Sequence, residues 1–250
     1  MNKKLILGVL ASCSLALTSC LGEGDKEGQI TGYFTVNTSG GQTVLYMDGG
    51  ATIYPTPSSV ADLTDGKGLS GVERAMFSLT YPEEFFIQKE NGYIEIREAK
   101  LTNGDVLPVF VPYTSTEAAD AKNVTNTDSI QALNSLDQVW CYGGYFNVTS
   151  TTKYYIQDGK AVRPTLSCIM TQSEEDSRVI NINLLNNLHP LNDKKESIGG
   201  NAQLLNSFNI SKIKDEFMLS GIDSVTFVVT SQSVNPITFK SSVKQFNKPF

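Results

Sequence analysis

His189 is the only histidine in the chain, so a Ser-His-Asp hydrolase would have to use it. No G-x-S-x-G elbow accompanies it. A zinc site would want a second histidine or a nearby cysteine. A loop histidine making a structural hydrogen bond is the plainer reading. Carboxylates cluster at Glu83-Glu84 and at Glu174-Glu175-Asp176. Glycoside hydrolysis needs two acids facing across a cleft, about 5–10 Å apart. Adjacent residues on a strand point to opposite faces, and in a turn they are simply solvated. Gly66-Lys67-Gly68-Leu69-Ser70-Gly71 matches G-x-G-x-x-G. A dinucleotide site needs that loop between a strand and a helix. Here a loop precedes it and a strand-like alternation follows. Asp62, Asp65 and Gly66 lack the spacing of a calcium loop. These readings assign no catalytic residue, no metal and no cofactor, and the chain is expected not to be an enzyme.

The aromatic series Trp140, Tyr142, Tyr145, Phe146, Tyr154 and Tyr155 carries a different chemistry. Exposed rings can stack on the flat faces of sugars. Read as one strand, residues 139–149 place Trp140, Tyr142, Phe146 and Val148 on one face, towards a core. Tyr145 then points the other way with Cys141 and Asn147, and is the leading candidate for an exposed ring. The possible ligand-facing set is Tyr145, Trp140, Tyr154 and Tyr155.

The remaining chemistry lies at the start. Lys3 and Lys4 form a basic segment, residues 5–17 are predominantly apolar, and Leu17-Thr18-Ser19-Cys20 closes the run. This is the plan of a secretory signal. It is shorter than the about 20 apolar residues that span a bilayer. Leu17-Thr18-Ser19-Cys20 resembles a bacterial lipobox, in which the thiol takes a diacylglycerol and the small neighbours fit the peptidase. Several acyl chains on Cys20, palmitate among them, would make a stable anchor, because each buried CH₂ contributes about 0.8 kcal/mol. Gly and acidic residues at 22–28 form a solvated tether. Their acids resemble a surface-export signal of Bacteroidota lipoproteins. The expected address is the outer membrane, the cell surface favoured over the periplasmic face.

Export permits a disulfide between Cys141 and Cys168. Both can equally be small buried hydrophobes, and the two readings stand side by side. Without Lys3 and Lys4 the chain has 18 basic and 26 acidic residues, a charge of −8. That excess disfavours a phosphate backbone or an anionic lipid surface, so nucleic acid is not an expected partner.

The elements that must position these residues read as β. Residues 30–36 alternate apolar and polar, as do 74–80 and 93–101. Ser39-Gly40-Gly41, Asp48-Gly49-Gly50 and Asn103-Gly104-Asp105 are turn signals. Short strands without a long helix fit an OB-like barrel over residues 30–112. Residues 113–127 are polar and read as a linker. Residues 128–136 have apolar spacing for one short helix. Strands are expected at 139–149, 154–156, 162–170, 178–185, 201–210, 216–219, 224–231 and 237–239, which suggests an antiparallel β-sandwich over 128–250. The chain is thus expected to be all-β: signal peptide 1–19, lipidated Cys and tether 20–29, barrel, linker, sandwich.

Several short patterns are similar to those of the NigD-like lipoproteins of Bacteroidota. They are Asp48-Gly49-Gly50 with Tyr54-Pro55, Gly71-x-x-Arg74-Ala75, Tyr93-Ile94-Glu95-Ile96, Val139-Trp140 with Gly143-Gly144-Tyr145-Phe146-Asn147, and His189-Pro190-Leu191-Asn192-Asp193. The resemblance implies an N-terminal OB-type domain, a C-terminal β-sandwich and a lipid anchor, and implies no activity. Asp128-Ser129-Ile130 and Asp223-Ser224-Val225 resemble an O-glycosylation acceptor motif, which makes Ser129 and Ser224 candidate sites. The expected function is a non-catalytic interaction or structural module with a protein partner. The alternative is a cell-surface glycan-binding lipoprotein, with a hydrolase a distant third.

Overall fold

The computed structural model describes residues 26–122, 133–157, 159–162, 164–187, 196–231 and 234–250. Cys20, Ser129 and His189 lie outside them, and so does the side chain of Tyr155. The chain is all-β, and its described residues form two compact units that divide between Val106 and Leu107.

The first unit is a closed barrel. Its strands are β1 (Glu27–Asn37), β2 (Val44–Met47), β3 (Ala51–Pro55), β4 (Arg74–Pro82) and β6 (Ile94–Leu107), with the short β5 (Phe86–Gln88) on the outside of β6. The order β3-β2-β1-β4-β6 is closed by a parallel pairing of β3 with β6. One helix, α1 (Pro57–Leu63), separates β3 from β4. Five strands, this closure and a helix at this point are the OB-like arrangement that the turn spacing suggested. The alternating strands deliver Phe34, Leu45, Ile53, Phe77, Leu79 and Ile96 to the interior, each at most 2% exposed.

The helix α1 is not among the elements expected from the sequence. Its start is written in the sequence: Thr56 caps it by accepting from the Ser59 N–H, and Pro57 opens the first turn. The turn expected at Asn103-Gly104-Asp105 does not form. The strand β6 runs straight through it, and the ring of Phe77 lies against Gly104, where a side chain would collide with it.

The second unit is a two-sheet sandwich. One sheet contains β7 (Val109–Phe110), β8 (Ser135–Tyr142), β9 (Tyr145–Gln157), β10 (Lys160–Val162) and β13 (Glu196–Asn209). The other has the order β11 (Thr165–Gln172), β12 (Val179–Asn187), β14 (Ser224–Ser231), β15 (Val234–Ser242). Pairings are antiparallel except β12 with β14 and β13 with β7. The chain leaves β12 for the opposite sheet, forms β13 there, and returns through the short α3 (Ile213–Glu216), so β14 re-enters parallel to β12. Phe146, Phe208, Phe227 and Phe246 are fully buried between the sheets with Ile180 and Ile182.

The unit boundary differs from the expected one. Residues 107–112 were assigned to the barrel and 113–127 to a linker, yet the second unit begins at Leu107. Val109 and Phe110 pair with β13, and Tyr113 then bridges to Ile169 of the other sheet. Tyr113 donates its N–H to the Cys168 carbonyl and accepts from the Met170 N–H. The stretch is therefore tied into both sheets, at Val109 and Phe110 of the expected barrel and at Tyr113, the first residue of the expected linker. It continues into α2 (Thr116–Asp120), capped by Ser115. Residues 135–136 of the expected short helix are the start of β8. Of residues 216–219, expected as a strand, Glu216 ends α3 and 217–219 follow it.

Candidate functional site

Of the sequence-derived aromatic set, the leading candidate is not exposed. Tyr145 is 0% exposed, which overturns its assignment as an exposed ring. The cause is the turn at Gly143-Gly144. It splits residues 139–149 into two strands paired Tyr142↔Tyr145, Cys141↔Phe146 and Trp140↔Asn147. Cross-strand partners share a face, so Cys141 joins Phe146 at the core while Trp140 and Tyr142 join Tyr145 outside. That outer face is then covered locally by the C-terminal residues. Gly144 donates to the Gln245 carbonyl, and the Lys248 ammonium lies 5.6 Å from the Tyr145 ring centre. Asn147 is buried and accepts from the Ser207 hydroxyl at 2.7 Å. Trp140 is half-buried, and Tyr154 is half-buried against the backbone of Gly199.

Cys141 and Cys168 are free thiols, so the disulfide reading does not hold. Their strands lie in opposite sheets, and both groups serve as core hydrophobes. Burial pushes both thiols well above their ordinary range. Ser224 is exposed at the start of β14, while its neighbour Val225 is buried. Glu83 and Glu84 stand exposed in a turn, and the glycines at 66–71 run into β4 rather than a helix.

The barrel carries a candidate site that sequence reasoning missed. A cleft of about 520 Å³ opens beside the β1–β2 turn, and Gln42, Thr43, Tyr54, Thr56, Arg97 and Glu98 are among its lining residues. Its geometry comes from an irregularity in the barrel closure. Ile53 pairs with Ile96, but Pro55 pairs with Ala99. Tyr54 therefore faces two residues of β6, Arg97 and Glu98, a bulge that re-aims side chains. Glu98 sits in the left-handed region at φ 52°, where an L side chain is strained. Strain of this kind gathers at functional sites.

Arg97 is held in place from two sides. Its Nε donates to Glu95 Oε1 at 2.6 Å, and its guanidinium carbon lies 5.9 Å from the centre of the Tyr54 ring. The other carboxylate oxygen of Glu95 accepts from Lys89 Nζ at 3.0 Å. Lys89 in turn lies over the Tyr93 ring, and the Tyr93 hydroxyl bonds Thr52. Hydrogen bonds from Lys89 and then Arg97 hold the Glu95 carboxyl below its usual range. Burial, and then the Glu95 charge, raise the Tyr54 phenol above its usual range. Tyr54 thus places its phenol beside the Arg97 cation. The signal was present as alternation: Thr52 and Tyr54 share one face of β3, as Glu95 and Arg97 share one face of β6. What the sequence could not give was the parallel pairing that lays them side by side.

Two of the family-like patterns also meet here. Asp48, of Asp48-Gly49-Gly50, takes both Nη atoms of Arg74 at 2.7 Å, and Arg74 also donates to Thr35 Oγ1. Arg74 is fully buried, so this fork fixes the β2–β3 turn onto β4.

No family model matches the chain, and no curated protein does either. Solved structures do. A protein of unknown function from Bacteroides vulgatus is similar at 14% identity and TM-score 0.52, covering 86% of this chain and 90% of its own. A candidate lipoprotein from Bacteroides fragilis is similar at 11% identity and TM-score 0.51, covering 89% of this chain and all of its own. At such identities the likeness is one of fold. Among the described residues no helix is long and apolar enough to cross a membrane.

Proposed function

We propose that this chain is an exported, lipid-anchored binding module of the NigD-like kind that works without catalysis. The observation that carries the reading is the barrel cleft, where a strained bulge and a braced Arg97 are held ready beside Tyr54. Pre-positioned polar groups on rigid strands suit recognition, because little entropy is lost on binding. The volume of the cleft suits a small ligand or a short stretch of a larger partner. The lipobox-like Leu17-Thr18-Ser19-Cys20 supplies the anchor. The fold likeness to a candidate lipoprotein of Bacteroides fragilis supports that class. The acidic tether favours the outer surface of the outer membrane. The partner meets the module at this cleft rather than at Tyr145 or Trp140.

Two measurements test this. Cys20→Ala should shift the chain from the membrane to the soluble fraction. A photo-crosslinking residue at Gln42, on the cleft lip, should give adducts in intact cells that the same residue at the exposed Lys240 does not. Equal labelling from both positions would remove the cleft from the proposal.

A further inference from the structure

We infer that the cleft takes a neutral, hydroxyl-rich saccharide. The inference rests on the binding-module reading above and adds the class of ligand. Four observations lead to it. First, the charges around the cleft cancel: Lys89 and Arg97 stand against Glu95 and Glu98. A polyanion gains nothing there, and the mature chain's charge of −8 repels it at longer range. Second, the polar lining mixes donors and acceptors. Arg97 spends Nε and Nη2 on Glu95, which leaves Nη1 to donate. Gln42, Thr43 and Tyr54 can each donate and accept, and the Glu98 carboxylate accepts. A sugar's hydroxyls, each both donor and acceptor, match such a set.

Third, Tyr54, Pro55, Pro57 and Val60 add an apolar wall, which suits the C–H face of a pyranose. Fourth, an extended peptide would bind by adding a strand to a free sheet edge. Here β3 and β6 are hydrogen-bonded to each other, so these cleft walls offer no such edge. Glu98 becomes the residue that sets specificity: its carboxylate, aimed by the bulge, disfavours an acidic sugar in the place where a neutral one hydrogen-bonds.

The test is calorimetric titration of the full-length chain in detergent micelles. The probes are neutral gluco-, manno- and galacto-configured tetrasaccharides, a uronate tetrasaccharide, and a proline-containing peptide of similar length. At least one neutral sugar should bind, and the uronate should bind at least about tenfold more weakly, a difference near 1.4 kcal/mol. Tyr54→Ala should cost at least about tenfold for the neutral sugar. Glu98→Gln should narrow the gap between neutral and uronate probes. Because Glu98 is exposed, that variant keeps the readout should Tyr54→Ala fail to fold. The inference is overturned if the uronate binds as well as the neutral sugars, if the peptide binds and the sugars do not, or if no sugar binds. In the last two cases cleft-specific crosslinking from Gln42 would leave the binding-module reading standing. Loss of that crosslinking as well would sink both.

Discussion

Arg74 brings its charge fully inside the barrel, and Asp48 is the group that makes this tolerable. A buried pair contributes little net stability, but removing one partner strands the other in a low dielectric. Asp48→Ala should therefore destabilise the barrel by about 3–5 kcal/mol, read as an earlier denaturant midpoint for the first unit. Glu95 makes a pH-dependent contribution of the opposite visibility. Its folded pKa is depressed by Lys89 and Arg97, so in the acidic window below its ordinary value the unfolded state binds more protons. The stabilisation is complete above the ordinary carboxylate range and is lost as pH falls through the depressed folded value. Both cations are more than half exposed, so the effect is modest and screened by salt. Denaturant midpoints of Glu95→Gln and the parent chain should converge at acid pH. A constant gap from neutral to acid pH would refute the assignment. At this same scale Tyr54, Arg97 and Glu98 were overlooked because each is ordinary alone; only their juxtaposition is chemical.

The hairpin of β8 and β9 decides where an entire set of side chains points. Its turn places Gly143 at φ 58° and Gly144 at φ 87°, the left-handed geometry that matches strand twist. A Cβ at Gly144 would also lie 3.1 Å from Lys248 Cγ and 3.3 Å from its backbone nitrogen. Gly144→Ala thus meets both backbone strain and the C-terminal segment packed above it. It should cost more than about 1 kcal/mol. It should also raise Tyr145 accessibility, measured by quenching or by iodination. An unchanged Tyr145 would mean that the tail does not depend on this contact. The same hairpin aims Cys141 inwards, where it meets the interior shared with Cys168. Both thiols should stay unreactive towards a soluble thiol reagent in the folded protein and react together on unfolding. Fast labelling of either under native conditions would contradict the burial that raises them. Asn186 Nδ2 of β12 donates to Thr152 Oγ1 of β9 at 2.7 Å, a buried polar tie between the two sheets.

For the whole molecule, the sequence separated into a barrel half and a sandwich half, with all-β content in both. Alternation at period two and frequent glycine turns dictate that much, because they are local properties of short strands. The capped start of α1 and the capped start of α2 were equally local, at Thr56-Pro57 and Ser115, and could have been read. The unit boundary could not. Residues 107–112 read as the end of the barrel and 113 as the start of a linker, and only β13 and β11, nearly 60 to 100 positions away, draw them into the sheets of the second unit.

What the sequence determined by itself was the lipobox-like start, the acidic balance, the strand content and the two-part plan, all written in short windows or in composition. The tertiary structure decided which aromatics are covered, which thiols are core, and which residues form the cleft. Those outcomes depend on register. A two-residue turn moved Tyr142 and Trp140 to the face of Tyr145, and one bulge set Tyr54 against Arg97 and Glu98. Register is fixed by pairing between distant strands, and a shift of one residue exchanges the faces of an entire strand.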